Sequence, residues 1–233
     1  MINKFKIKVE EISESLYCFN FKDQYQMTST LMRVQEFYEN AKIRNQFLSV
    51  EQVMDSLYSQ DSGKEFTYFY EVEGCNMSGD KILEFFKNVD GFPSTFLKNV
   101  DGFPLVHQYM DKEIHFWETI KENIDITKDF YLIATYGKND ADAFNHEIAH
   151  GLYYLNKNYK RDMNKLIKDY KHKDKAYKAL RDIQYATSVL KDELQAYFAT
   201  STKKYLVNHL KMDKEVYIPK EFRQVYIKYC KEI

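Results

Sequence analysis

The sequence predicts an α+β fold: a mixed N-terminal half with a small sheet, packed on a mainly helical C-terminal half. Three observations carry this. Segments of strand type fall at 4–21, 65–74 and 130–137, whereas the C-terminal third has apolar residues recurring at spacings of three and four. Glycine (7) and proline (3) are scarce among 233 residues, so regular elements are joined by few flexible linkers. No break in composition forces a domain boundary. Residues 1–233 are therefore expected to form a single domain, with 1–129 the α+β part and 130–233 a strand followed by helices.

Taken in order, "FKIKVEEI" and "LYCFNF" alternate well enough for a strand pair within 4–21. From about Gln24 to Leu48, Leu31, Val34, Phe37, Tyr38 and Ala41 follow helical spacing, and "SVEQVMDSLY" continues as a short helix. "EFTYFYEVEG", aromatic and β-branched and closed by glycine, predicts a strand. Ser78 is placed to cap a helix over "GDKILEFFKN". "FFKNVDGFPST" is then followed at once by "FLKNVDGFPLV", a near-exact tandem repeat over 86–104. Two copies are too few for a solenoid. The expectation is a duplication tolerated in a surface loop, with Asp-Gly turns at 90–91 and 101–102; a flap over a cleft is the alternative.

The stretch "HQYMDKEIHFWETIKENI" is helical, and "FYLIATYG" (130–137) is a continuous apolar strand stopped by glycine. Helices are expected from about Asp140 to Asn156, Lys160 to Tyr170 and Lys175 to His209, with a last one after Pro219.

Composition removes several function classes. The formal net charge of -1 points neither to nucleic acid nor to an anionic membrane surface. No apolar run approaches the ~20 residues needed to cross a bilayer, and the first residues lack the core of a secretory signal. Cys18, Cys75 and Cys230 are odd in number and form no CxxC pair, which fits reduced thiols in the cytoplasm. Histidines and carboxylates must then carry any metal site. The basic segment 157–181 is expected to be a solvated outer face whose aspartates pair along the helix, the alternative being a patch for phosphates or an acidic substrate.

The chemistry concentrates in "NHEIAHGLYYLN", residues 145–156. His146 and His150 stand four apart, so on a helix both imidazoles leave one face and can share a tetrahedral zinc. Glu147, rotated by about a quarter turn, can reach a water on the open side of such an ion as general base. Ala149 is small enough for close packing beneath the metal. A third ligand has to come from elsewhere. Six residues after His150 stands Asn156, which excludes the metzincin pattern, and at the short thermolysin-like spacing there are only Asp162 and Asp169. Farther on, in "VLKDELQAYFAT", Glu193 falls within a stripe made of Ala186, Leu190, Ala196 and Tyr197. A buried carboxylate needs a cation, here metal or an Arg or Lys, and metal is the expectation because the motif helix lacks a ligand. Asp192, a quarter turn away, is expected to be solvated.

HExxH followed on a later helix by Glu-x-x-Ala, here "ELQAYFA", resembles the gluzincin metallopeptidases. More loosely it resembles the small intracellular ImmA/IrrE-type proteases, whose glutamate lies in a Glu-x-x-Ala segment followed by Phe-Ala. The resemblance covers residues 130–200 and implies a zincin-like fold with His146, His150 and Glu193 as zinc ligands and Glu147 as catalytic base. It further implies a cytoplasmic zinc-dependent hydrolase, a metallopeptidase acting on a peptide or protein substrate that adds as a strand along an exposed edge of 130–136. Two features depart from the pattern: the interval from His150 to Glu193 is long, and Tyr197 stands where related enzymes often have an acidic residue behind the metal. The alternative is a non-catalytic zincin-fold regulatory or partner-binding protein, which a Glu193 paired with Lys or Arg would favour. His209, Tyr205 and Tyr136 are open candidates for stabilising an oxyanion. His107 and His115 are expected to be structural, and His172 solvated.

Overall fold

The computed structural model describes residues 5–60, 66–90, 109–137, 141–208, 210–213, 218–231 and 233. A mixed four-stranded sheet is packed against a largely helical C-terminal half, as expected. The chain opens with the predicted strand pair, β1 (Lys8–Ser13) and β2 (Leu16–Phe21), joined antiparallel. β4 (Tyr131–Tyr136) lies parallel to β2, and β3 (Cys75–Ser78) lies antiparallel on its other side, giving the order β1-β2-β4-β3. β4 therefore has no free edge; the strand that closes the sheet on its side is β3. The expected substrate edge at 130–136 is corrected on this point.

The continuous apolar character of β4 follows from burial on both faces. Tyr131 and Ile133 enter the core shared with the C-terminal helices. Leu132 and Ala134 enter a second core with α1 (Gln24–Glu39), α4 (Gly79–Asp90) and α5 (Asp111–Asn123). Asp23 caps α1 by accepting from the Gln26 backbone N–H at 2.8 Å. α1 is tied to α5 by a buried ion pair, Arg33 Nη1 to Glu113 Oε2 at 2.9 Å. Removing one partner of such a pair costs roughly 3–5 kcal/mol, because the other charge is left buried and alone. This anchor fixes α1, whose last turn reaches the cavity described below.

Several elements differ from the sequence reading. α1 ends at Glu39, not near Leu48, and α2 (Val50–Gln60) follows separately. The strand expected over 65–74 is instead a single helical turn, α3 (Tyr68–Glu71), and the strand is the next segment, β3. Phe66, Tyr68 and Phe69 do not alternate across a sheet; they gather on Met32, Ile43 and Val53 in a satellite core. The C-terminal half comprises α6 (Ala141–Leu155), α7 (Lys157–Asp169), α8 (Lys173–Asp182), α9 (Leu190–Thr200), α10 (Lys203–Asn208) and α11 (Lys220–Cys230). The long helix expected from Lys175 to His209 is thus three helices. Its break comes at Gln184, which takes φ +76, while Ala41 N–H donates to Gln184 O and Ala186 N–H to Glu39 O. The chain leaves the helix to pair with the end of α1.

Pro219 occupies the N-cap of α11, and His172, at the N-cap of α8, is exposed. His115 is held by the Phe5 carbonyl at 2.6 Å, a structural role. The second repeat copy, the Asp-Gly turns, His107, His209 and the expected start of the motif helix at Asp140 involve positions outside the described residues. The first copy begins inside α4.

Candidate metal centre

α6 carries the HExxH stretch. Ile148, Ala149 and Leu152 are buried in the core they share with Leu16, Cys18, Tyr131 and Ile133 of the sheet. Gly151 permits the close approach: a Cβ there would stand 2.6 Å from Leu16 Cδ1. The remaining face of α6 presents His146, Glu147 and His150 to a cavity of about 460 Å³. α9 packs across this face and supplies Glu193. One ligand atom from each of His146, His150 and Glu193 lies within 4.8 Å of the others.

The two histidines converge through Nε2. These nitrogens are 3.1 Å apart, close to the roughly 3.3–3.4 Å separation of two imidazole nitrogens on one tetrahedral zinc. Glu193 Oε1 is 3.8 Å from His150 Nε2. The outer nitrogens are already engaged. His150 Nδ1 faces Asp192 Oδ1 at 2.9 Å, and His146 Nδ1 faces Thr200 Oγ1 at 3.4 Å. Thr200 spends its own proton on the Ala196 carbonyl, so it can only accept from His146. With both Nδ1 atoms donating, the two Nε2 atoms face one point beside a carboxylate oxygen. In the metal-free chain a proton on His150 Nε2 bridges them, in keeping with the raised His150 value. A divalent cation would take that proton's place, and Glu193 Oε2, buried with no partner, offers it a further oxygen. The donor set of two histidines and one glutamate suits a divalent metal such as zinc. Among the described residues no lysine or arginine pairs with Glu193.

The electrostatics agree. Burial pushes the Glu193 carboxyl up to about 8 and the Glu147 carboxyl up to about 7. Desolvation, then His150, drives His146 well below its usual value, so it is neutral and ready to ligate. Desolvation also works against the His150 imidazolium, but the Asp192 and Glu193 carboxylates outweigh it and raise that group well above its usual value. A divalent cation would oppose the shifts of Glu193, Glu147 and His150 together.

Asp192 is therefore not solvated, contrary to its expected place. It accepts from His150 and from Gln195 Nε2 at 3.1 Å, and Gln195 also donates to the Ala149 carbonyl. Tyr159, wholly buried, donates to Gln195 Oε1 at 2.6 Å. This chain of bonds fixes the His150 tautomer from behind, the role in which the sequence offered only Tyr197. Tyr197 instead lays its ring against His146, with centroids 4.4 Å apart, and meets the Tyr185 hydroxyl at 3.2 Å.

Glu147 is positioned from the edge strand. Asn76 of β3 accepts the Tyr131 hydroxyl at Oδ1, which leaves its amide N–H to face the Glu147 carboxylate and hold its pKa down against burial. Gly74 gives the carboxylate room, since a Cβ there would stand 2.6 Å from Glu147 Oε1. Tyr205 lines the cavity but Tyr136 does not. Asn76, Gly74, Asp192 and Gln195 went unnoticed as site residues, as did Glu36 and Glu39 of α1. Only the last two left a trace in the sequence, as acids three apart at the end of a helical pattern.

The site has the character of a gluzincin-type HExxH centre. Protein-family models, curated proteins and solved structures yield no match to this chain. The residues are thus its whole case.

Proposed function

We propose that this chain is a zinc-dependent metallopeptidase in which His146, His150 and Glu193 hold the metal and Glu147 is the general base. The observation that carries the reading is the convergence of two outward-anchored imidazoles and a buried, unpartnered Glu193 oxygen, with the Glu147 carboxylate alongside. Zinc in such a setting polarises a carbonyl and acidifies water. Glu147, buried in the cavity wall between the two histidines, is suited to take a proton from water and return it to a leaving amine. Asn76 orients that carboxylate, and Tyr205 in the cavity wall is a candidate donor to an oxyanion. Residues 73, 74 and 76 wall the cavity, so an extended substrate laid along β3 would pass Glu147. The free thiols Cys18, Cys75 and Cys230 fit a cytoplasmic setting.

The test is metal content by mass spectrometry on protein purified without a nickel column, with peptide hydrolysis measured in parallel. We expect about one zinc per chain in wild type, a sharp loss in Glu193→Ala, and retained zinc with turnover down about 10²–10⁴-fold in Glu147→Gln. No zinc in wild type would end the reading.

A further inference from the structure

The cavity above the candidate centre has a charge pattern that the centre does not explain. Besides Glu147 and Glu193 it is lined by Glu36, Glu39, Glu71, Glu73 and Asp142, and among the described residues by no lysine or arginine. The basic residues of α7 and α8 contribute nothing to its wall. Carboxylates gathered in a concave, partly dehydrated wall repel one another and raise the local concentration of cations. A divalent ion held by His146, His150 and Glu193 accounts for one end of this wall. The end formed by α1 is left over.

Glu36 and Glu39 stand in the last turn of α1, where the helix carbonyls already carry partial negative charge and no basic residue offsets it. Their hydrogen-bond partners are neutral. Asn40 Nδ2 donates to Glu36 Oε2 at 2.6 Å, and the Gln35 amide faces Glu39. A second, independent sign lies beside them. The Gln35 side chain lines the same cavity at 7 % exposure, and its Oε1 has no partner. A buried acceptor left open beside two carboxylates calls for a ligand with several N–H donors and a positive charge, which describes an ammonium or a guanidinium.

We propose that Glu36, Glu39 and Gln35 Oε1 form a subsite for a cationic group of the substrate, either a lysine or arginine side chain or a free peptide amino terminus. This inference rests on the peptidase reading of the neighbouring centre and adds to it a substrate class.

The experiment uses the zinc-loaded full chain and short peptides that carry lysine, arginine, norleucine or glutamate at each position in turn. Each peptide is made with a free and with an acetylated amino terminus. Two quantities are read: kcat/KM for wild type, and Kd by calorimetry for Glu147→Gln, which binds without turnover. At one position the cationic peptide should exceed its norleucine counterpart by about tenfold or more in both readouts. Alternatively, acetylation should produce that loss by itself, identifying the amino terminus as the cation. Glu39→Gln and, separately, Glu36→Gln should shrink the ratio, which is internal to each protein and so insensitive to an overall loss of activity.

Cleavage without cationic preference, or a preference unchanged in both variants, overturns the subsite and leaves the peptidase reading standing. Selective binding of cationic peptides by a protein that cleaves none of them upholds the subsite and removes the peptidase reading. Neither cleavage nor selective binding removes both.

Discussion

His150 is committed at both ring nitrogens, and that double commitment turns a helix histidine into a candidate ligand. Its Nε2 meets His146 and Glu193, while its Nδ1 is held by Asp192 at 2.9 Å. Asp192→Asn keeps the size of the side chain and removes the charge behind the ring. Zinc affinity should fall about 10–100-fold, read by competition with a chromophoric chelator; unchanged affinity would detach Asp192 from the centre. Gly74 sets the other key residue. Gly74→Ala would put a Cβ 2.6 Å from Glu147 Oε1 and 2.9 Å from its Cγ, and a general base displaced by about 1 Å loses roughly 10²-fold in rate. The kcat of Gly74→Ala should drop on that scale with zinc content unchanged, and an unaltered kcat would show that Glu147 needs no such room. His146, Glu147 and His150 were legible because they share one helix, where spacing alone fixes their faces. Asp192 was misjudged because its partner sits on a different helix, which no angle along α9 can reveal. Its place in the first turn of α9, where helix N–H groups favour anions, belongs to the same arrangement.

The elements that frame the site divide by how much of their pattern is local. β4 and α6 were clear in the sequence: the first is apolar on both faces, the second long and periodic. β3 was not, since four residues reading Cys-Asn-Met-Ser have neither alternation nor β-branching. The break between α8 and α9 carries no glycine or proline, because the residue taking positive φ is Gln184. Backbone bonds to the end of α1 compensate for it there. One contact between elements makes a direct test. Gly151 lets α6 settle on β2 against Leu16, which is 1 % exposed and has nowhere to retreat. Alanine ordinarily gains about 1 kcal/mol over glycine inside a helix. Here the overpacking cost of roughly 1–3 kcal/mol opposes that gain. We expect Gly151→Ala to lower the urea midpoint without changing the slope, whereas a raised midpoint would mean that the α6–β2 contact yields freely.

Across the whole molecule, the cavity gathers carboxyls whose folded pKa values are raised, and this couples stability to pH and to metal. Burial, the first cause in each case, lifts Glu36, lifts Glu39 well above its usual value with help from Glu193, and carries Glu147 to about 7 and Glu193 to about 8. A group whose folded pKa exceeds its unfolded one binds more protons when folded. Its contribution to stability is complete below about pH 4.5 and is lost as pH rises through the folded value. Chelator-treated protein should therefore melt at progressively lower temperature between about pH 5 and pH 8. Zinc reverses the sign, because it takes deprotonated ligands and competes with the protons on Glu193 and His150. The zinc-induced rise in Tm should grow over the same interval as those protons become easier to displace. Melting curves with and without chelator, for wild type and for Glu193→Gln, measure both effects. In Glu193→Gln the acid-side advantage of the chelated protein should shrink and the zinc increment should largely disappear. A zinc increment that is flat with pH, or equal in the two proteins, would place the metal away from Glu193 and dissolve the link between the buried carboxyls and the HExxH helix.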